Sequence, residues 1–153
     1  LWTQPLINFT GKWHTIPDAG LKPLPIQRPI PIWFGGTAEG AIKRIARLAD
    51  GWLLNFRTIS DARWALGELD RYLVEAGRSR ETFGLEQRLP YGDGRTDAWA
   101  AAVAEWKAVG ATHLSFNTMG KGFDTPAAHL AAIRQFAEAT KDFRSPLRET
   151  SEV

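Results

Sequence analysis

The sequence predicts an α/β protein: four consecutive β-α units carried behind an extended N-terminal arm. Three observations predict it. From Ile30 onward, apolar runs of strand length alternate four times with amphipathic stretches of helical period. Glycines and small hydroxyl residues stand at the junctions, where helices stop and start. Before Ile30 the chain is rich in Pro, Gly and aromatic residues, with three prolines inside Leu21–Pro29, which argues against a helix there. The expected division is an extended arm over 1–29, four β-α units over 30–142 and a polar, frayed tail over 143–153. Strict alternation implies a parallel sheet with helices outside it. Four units make half of an eight-stranded barrel. An open doubly wound sheet satisfies the same periodicity.

Each element has its own signal. Phe9 to Ile16 can form a short hairpin within the arm. Ile32 to Phe34 are the centre of the first strand. Thr37 is placed to cap a helix ending near Leu48, with Ala41, Ile42, Ile45, Ala46 and Leu48 on its apolar side. Trp52 to Phe56 read as the second strand. Ser60 is the expected cap of a second helix, whose Ala62, Ala65, Leu66, Leu69, Tyr72, Leu73 and Ala76 keep helical spacing up to Gly77, a C-terminal stop. Phe83 to Leu89 read as the third strand. A helix capped by Thr96 follows, with Trp99, Ala102, Val103, Trp106 and Val109 inward, ended by Gly110. His113 to Asn117 form the fourth strand. Asp124 or Thr125 caps the last helix, with Pro126 in its first turn and Leu130, Ile133, Phe136 and Ala137 inward.

Bulk composition excludes several functions. The 153 residues suit one domain, and 44% apolar with 24% charged residues is ordinary for a soluble globular protein. The net charge of +2 is a small excess of Lys and Arg, with no dense basic cluster for nucleic acid. The chain has no cysteine, so disulfides and thiolate chemistry are excluded. His14, His113 and His129 are too scattered to show a metal-ligand spacing, and structural or surface roles are expected for them. No apolar run approaches the roughly 18 residues of a membrane span, and no signal peptide is visible. A cytoplasmic location is expected. Met119 is the single methionine, so the sequence is expected to be a fragment, a processed product or an incompletely recorded chain.

The segment Pro29-Ile30-Pro31-Ile32-Trp33-Phe34-Gly35-Gly36-Thr37 concentrates the chemical signal. Gly35 and Gly36 permit positive φ and close approach of a ligand to the backbone. The N–H groups of Gly36, Thr37 and Ala38 are expected to face an anion along the axis of the following helix, and the Thr37 hydroxyl can donate to a phosphate oxygen. A tight strand-to-helix turn with a capping threonine would use the same residues. Asp50 is read as pairing with Arg47 or capping its turn. Lys43, Arg44 and Arg47 form a solvated helix face that can also contact an acidic group. Leu54, Asn55 and Phe56 lie at a C-terminal strand end, where barrel active sites are found. Arg88 and Tyr91, at the end of the third strand, are expected to border the pocket. Asn117, Thr118, Gly120 and Gly122 mark a loop, either a lid or a plain surface connection.

The order Phe9-Thr10-Gly11-Lys12-Trp13-His14, Leu24-Pro25-Ile26-Gln27, Pro29-Ile30-Pro31-Ile32-Trp33-Phe34-Gly35-Gly36 and Ala46-Arg47-Leu48-Ala49-Asp50-Gly51-Trp52 resembles the C-terminal half of the luciferase-like monooxygenase family. The resemblance spans Phe9 to Phe136. It implies flavin- or deazaflavin-dependent oxidoreductases on a (β/α)₈ barrel of TIM type, and so half of that barrel here. The wording is most similar to the branch that uses coenzyme F-420, with FMN as the alternative. It implies coenzyme contacts from Phe34, Gly35, Gly36, Thr37 and Asn55, and a small-molecule substrate. Family members are about twice this length, and the other half carries most groups that touch the reacting ring, so no catalytic residue is assigned. A half-barrel leaves two bare strand edges and an uncovered inner face. It is expected to associate with itself or with a missing N-terminal half, and a non-catalytic assembly module is the alternative function.

Overall fold

The computed structural model describes residues 1–143; the expected frayed tail lies almost wholly outside them. Contacts divide the chain into two units, Leu1–Ile32 and the remainder from Trp33 onward. The boundary falls three residues beyond the expected position 29.

In the first unit, β1 (Ile7–Thr10) pairs antiparallel with β2 (Thr15–Ala19). The Gly11 amide donates to the His14 carbonyl at 2.8 Å and closes the turn. This is the hairpin expected over Phe9–Ile16, extended by a few residues at each end. Residues 21–29 hold no regular element, as the prolines require.

The second unit alternates β3 (Trp33–Gly35), α1 (Glu39–Leu48), β4 (Gly51–Leu53), α2 (Ile59–Glu75), β5 (Gly84–Pro90), α3 (Thr96–Ala108), β6 (His113–Asn117) and α4 (Pro126–Ala139). The strands lie side by side in chain order, all parallel, with β3 and β6 as the outer strands among the described residues. A sheet built in chain order, with every helix following its strand, is the barrel pattern rather than the reversing order of a doubly wound sheet.

Side chains alternate between the two sheet faces. Trp52, Leu54, Leu85 and Leu89 point to the helices and join Ile42, Ile45, Ala62, Leu66, Leu69, Leu73, Val103 and Trp106 in one core. Full burial of each large side chain contributes about 1.5–3 kcal/mol. The other face carries Trp33, whose indole lies flat across Gly51 and Gly84 and meets His113 edge-on at 5.1 Å. Only glycines leave that space, since a Cβ at Gly51 would sit 2.5 Å from the ring.

Helix ends depart from expectation at three starts and agree at the stops. The N-caps are Ala38, Thr58 and Arg95, not Thr37, Ser60 and Thr96. The Thr58 side chain accepts from the Asp61 amide at 3.1 Å, two residues before the expected cap. Thr125 caps α4 with Pro126 behind it. Gly77 and Gly110 take positive φ, and their neighbours close Schellman pairs: Arg78 N–H to Leu73 carbonyl, Ala111 N–H to Trp106 carbonyl. Arg78 also donates to the carbonyls of Ala46 and Ala49, capping α1 from some thirty residues away. Leu48, Leu130 and Ile133 are exposed rather than inward. For Leu130 and Ile133 the reason is position: α4 packs on α3 and is the last helix of the layer, so its other flank has no neighbouring β-α unit among the described residues.

Gly84→Ala is expected to lower stability by about 1–3 kcal/mol, because the added methyl collides with the Trp33 ring. Urea unfolding followed by tryptophan fluorescence checks this; an unchanged midpoint would mean the indole is not seated between the strands.

Candidate functional site

The C-terminal ends of the four strands enclose a hollow of about 390 Å³ lined by Gly35, Gly36, Leu53, Asn55, Glu86, Arg88 and Ser115. Register explains the set. Gly35 stands opposite Leu53, Leu53 opposite Glu86, and Glu86 opposite His113, a single row across the sheet. Arg88 stands opposite Ser115 in the next row. All project from the face turned away from the helices.

Buried groups hold the rim in place. Trp52 is fully buried, and its indole N–H donates to the Gly36 carbonyl at 2.9 Å. Gly36 has φ 120°, which other residues rarely adopt, and a Cβ there would crowd Ala41 at 3.0 Å. The buried Gln87 takes both sides of one backbone residue: its Nε2 donates to the Phe56 carbonyl at 2.9 Å and its Oε1 accepts from the Phe56 amide at 3.2 Å. This mimics a strand ladder beyond the end of β4. It steadies Asn55, which has φ 51° and whose Oδ1 accepts from Arg88 Nη2 at 3.0 Å.

Three of the five expected coenzyme residues line this hollow. Gly35, Gly36 and Asn55 line it, and Arg88 joins them. Thr37 follows Gly36 in the connection to α1 and is exposed; it does not cap, because the helix begins one residue later than expected, behind Ala38. The first-turn amides therefore belong to Glu39, Gly40 and Ala41, the last already donating to the Ala38 carbonyl. Phe34 is on the opposite face, packed against the core, as strand alternation requires. Tyr91 lies outside the hollow in an aromatic cluster with Trp99, Phe116 and Phe123.

Glu39 stands in the first turn of α1, where its charge competes with any other anion. Lys43 at 2.8 Å and the Tyr72 hydroxyl at 2.7 Å draw its carboxylate aside. The hydrogen bond from Lys43, then that from Tyr72, holds the Glu39 carboxyl below its ordinary range. Lys43 is thus engaged on the helix surface. His113 meets Thr112 through Nδ1 at 2.8 Å, and His129 meets Thr118 through Nδ1 at 2.7 Å, partners that the sequence did not reveal. No group of His, Asp and Glu among the described residues is arranged to hold a metal.

Glu86, Ser115, Leu53 and Gln87 were not singled out from sequence. The signal was present in Gly84–Pro90, where charged Glu86 and Arg88 alternate with buried Leu85, Gln87 and Leu89. Which charges meet the glycine turn depends on register between strands distant in sequence.

The comparisons agree with this architecture. The family model described as luciferase-like monooxygenase matches residues 1–152, and the chain belongs to that family. An uncharacterized protein of Mycobacterium tuberculosis is 38% identical over 84 residues, 55% of this chain and 26% of the relative. An FMNH₂-dependent dimethylsulfone monooxygenase of Pseudomonas putida is 35% identical over 60 residues, 39% of this chain and 16% of the enzyme. The structure of an F-420-dependent secondary alcohol dehydrogenase, in complex with an adduct of F-420 and acetone, matches with TM-score 0.50 and 15% identity. That match covers 91% of this chain and 49% of the other. The likeness is of fold: the four parallel β-α units are part of a (β/α)₈ barrel. This chain spans about half the length of that structure.

Trp52→Phe removes the donor to Gly36 and leaves a void where the larger indole was fully buried. The expected cost is about 2–3 kcal/mol of stability, from the lost bond and the void together. Amide hydrogen exchange in residues 35–41 is expected to rise selectively; uniform protection would show that the bond does not hold the turn.

Proposed function

We propose that this chain is the coenzyme-phosphate side of an oxidoreductase that uses coenzyme F-420 to move a hydride to or from a small organic substrate. The observation that carries the reading is Gly35. It lines the hollow, its φ lies outside the left-handed region, and a Cβ built on it meets no protein atom within 4 Å. Neither the backbone nor the packing of this chain demands glycine there. The position keeps space clear for something else.

The remaining residues fit an anionic, ring-bearing coenzyme. Gly35, Gly36 and Thr37 offer backbone to a phosphate at the entrance to α1. Arg88 is a cation on the hollow, bonded to the neutral Asn55 amide. Asn55, held at its positive φ, offers an amide to the ligand, and Leu53 gives an apolar floor. A bound deazaflavin supplies the hydride chemistry, while the protein supplies position and electrostatics. Family membership supports the oxidoreductase class, and the motif wording from Phe9 to Trp52 supports F-420. Similarity to an enzyme described as FMNH₂-dependent favours FMN as the second reading.

Fluorescence titration with F-420 and FMN tests the assignment. F-420 is expected to bind at least about tenfold more tightly. The reverse order would select FMN, and no binding of either would remove the coenzyme reading. Gly35→Val is expected to weaken coenzyme binding about tenfold or more while leaving the melting temperature within about 2 °C. Equal affinity in the variant would place the coenzyme elsewhere.

The open sheet favours an assembly role beside this one. β3 and β6 each pair on one side only, and Leu53 is 40% exposed on the inner face. Self-association, or closure against four further β-α units, would cover both. Light scattering of this chain alone is expected to give an oligomer; a well-folded monomer across concentrations would contradict self-association.

A further inference from the structure

We infer that Glu86 is a positioning residue that accepts a hydrogen bond from a neutral donor edge of the ligand, beneath an anionic group held near Arg88. The inference rests on the coenzyme reading above and names what that reading leaves open: the second polar contact that orients the ligand.

Glu86 is half-buried on β5 and lines the hollow. Among the described residues its carboxylate has neither a hydrogen bond nor an ion pair, although Arg88 is two positions along the same strand face. Arg88 instead turns to Asn55 Oδ1 at 3.0 Å. The hollow therefore keeps a cation and an anion that do not neutralise one another. Two residues of strand separate them by about 6.6 Å.

Register supplies the second half of the argument. Gly35, Leu53 and Glu86 form one row across three strands. Neighbouring strands lie about 4.8 Å apart, so roughly 10 Å separates Gly35 from Glu86. A flat group resting over open Gly35 and apolar Leu53 ends at Glu86. A carboxylate there is acceptor-only and rejects another anion. It selects an edge that donates, either an imide N–H of a ring or hydroxyls of a sugar-alcohol chain. The anionic end of the same ligand then lies one row higher, between the backbone of Gly36 and Thr37 and the Arg88 guanidinium that reaches toward it over Asn55.

The test uses this chain, with FMN, riboflavin and lumiflavin as probes, and with F-420 and its phosphate-free deazariboflavin core. Failure of every probe on the unaltered chain sinks the coenzyme reading itself, and this inference with it. Where the unaltered chain binds, Glu86→Leu is expected to weaken the phosphorylated and phosphate-free members of a pair alike, by about ten- to a hundredfold. Glu86→Gln, which keeps an acceptor oxygen, is expected to recover much of the loss. Arg88→Ala is expected to weaken only the phosphorylated member. Loss that extends to lumiflavin assigns the donor to the ring imide; loss confined to ligands with the polyol assigns it to the hydroxyls. Unchanged or tighter binding by Glu86→Leu, with unaltered circular dichroism and melting temperature, would overturn the inference alone, since a carboxylate that only repels anions gives that result.

Discussion

Four short parallel strands can bury only one face beneath the helices that follow them, and strand alternation decides which side chains are left on the other. Trp52, Leu54, Leu85 and Leu89 go to the core. Gly35, Leu53, Glu86, Arg88 and Ser115 go to the inner side. One face is thus a packed hydrophobic layer and the other a polar hollow above an indole. Trp33 can lie flat there only because two successive strands present glycine beneath it. A side chain at either position would lift the ring and change the space above it.

The two faces are mechanically joined. The Trp52 ring is in the core, yet its N–H ends on the Gly36 carbonyl at the rim. Gln87 is buried on the helix side, yet both ends of its amide grip the backbone of Phe56, next to Asn55. Buried polar groups are costly unless satisfied, and here satisfaction fixes the backbone that faces the hollow. Among the described residues no buried side-chain nitrogen or oxygen is left without a partner. The site is therefore positioned by the same groups whose rupture would destabilise the fold, which is how a binding surface becomes preorganised.

Chemically, the hollow is sparse. It offers open backbone at two glycines, one guanidinium, one carboxylate, an amide and a hydroxyl. Such a set has groups suited to hold and orient a ligand, and none that by itself oxidises or reduces. The chain belongs to a family described as luciferase-like monooxygenases, and on the coenzyme reading proposed above the redox power would reside in the bound group. Barrel active sites collect at the C-terminal strand ends, and the hollow is found there.

Local features were legible in the sequence. The four β-α units, the hairpin, the stops at Gly77 and Gly110 and the Thr125-Pro126 helix start all rest on short-range physics: helical period, positive φ and proline's missing donor. Three caps were misplaced by one or two residues, because the cap is whichever residue stands where the chain turns: Thr58 and Ser60 look equivalent in sequence, and Ala38 and Arg95 occupy the position without a side-chain bond that could announce it. Leu130 and Ile133 looked internal because period reveals a helix face but not whether a neighbour covers it. Gly35, Gly36 and Asn55 were legible as candidates. Arg88 was legible as a pocket-bordering residue too; that Glu86 and Ser115 share the hollow was not, since it depends on register between strands separated by whole helices. Sequence determined the elements and the chemistry each could offer. Tertiary structure alone decided which of those groups face one another, because a one-residue slip between strands would send every one of them to the opposite face.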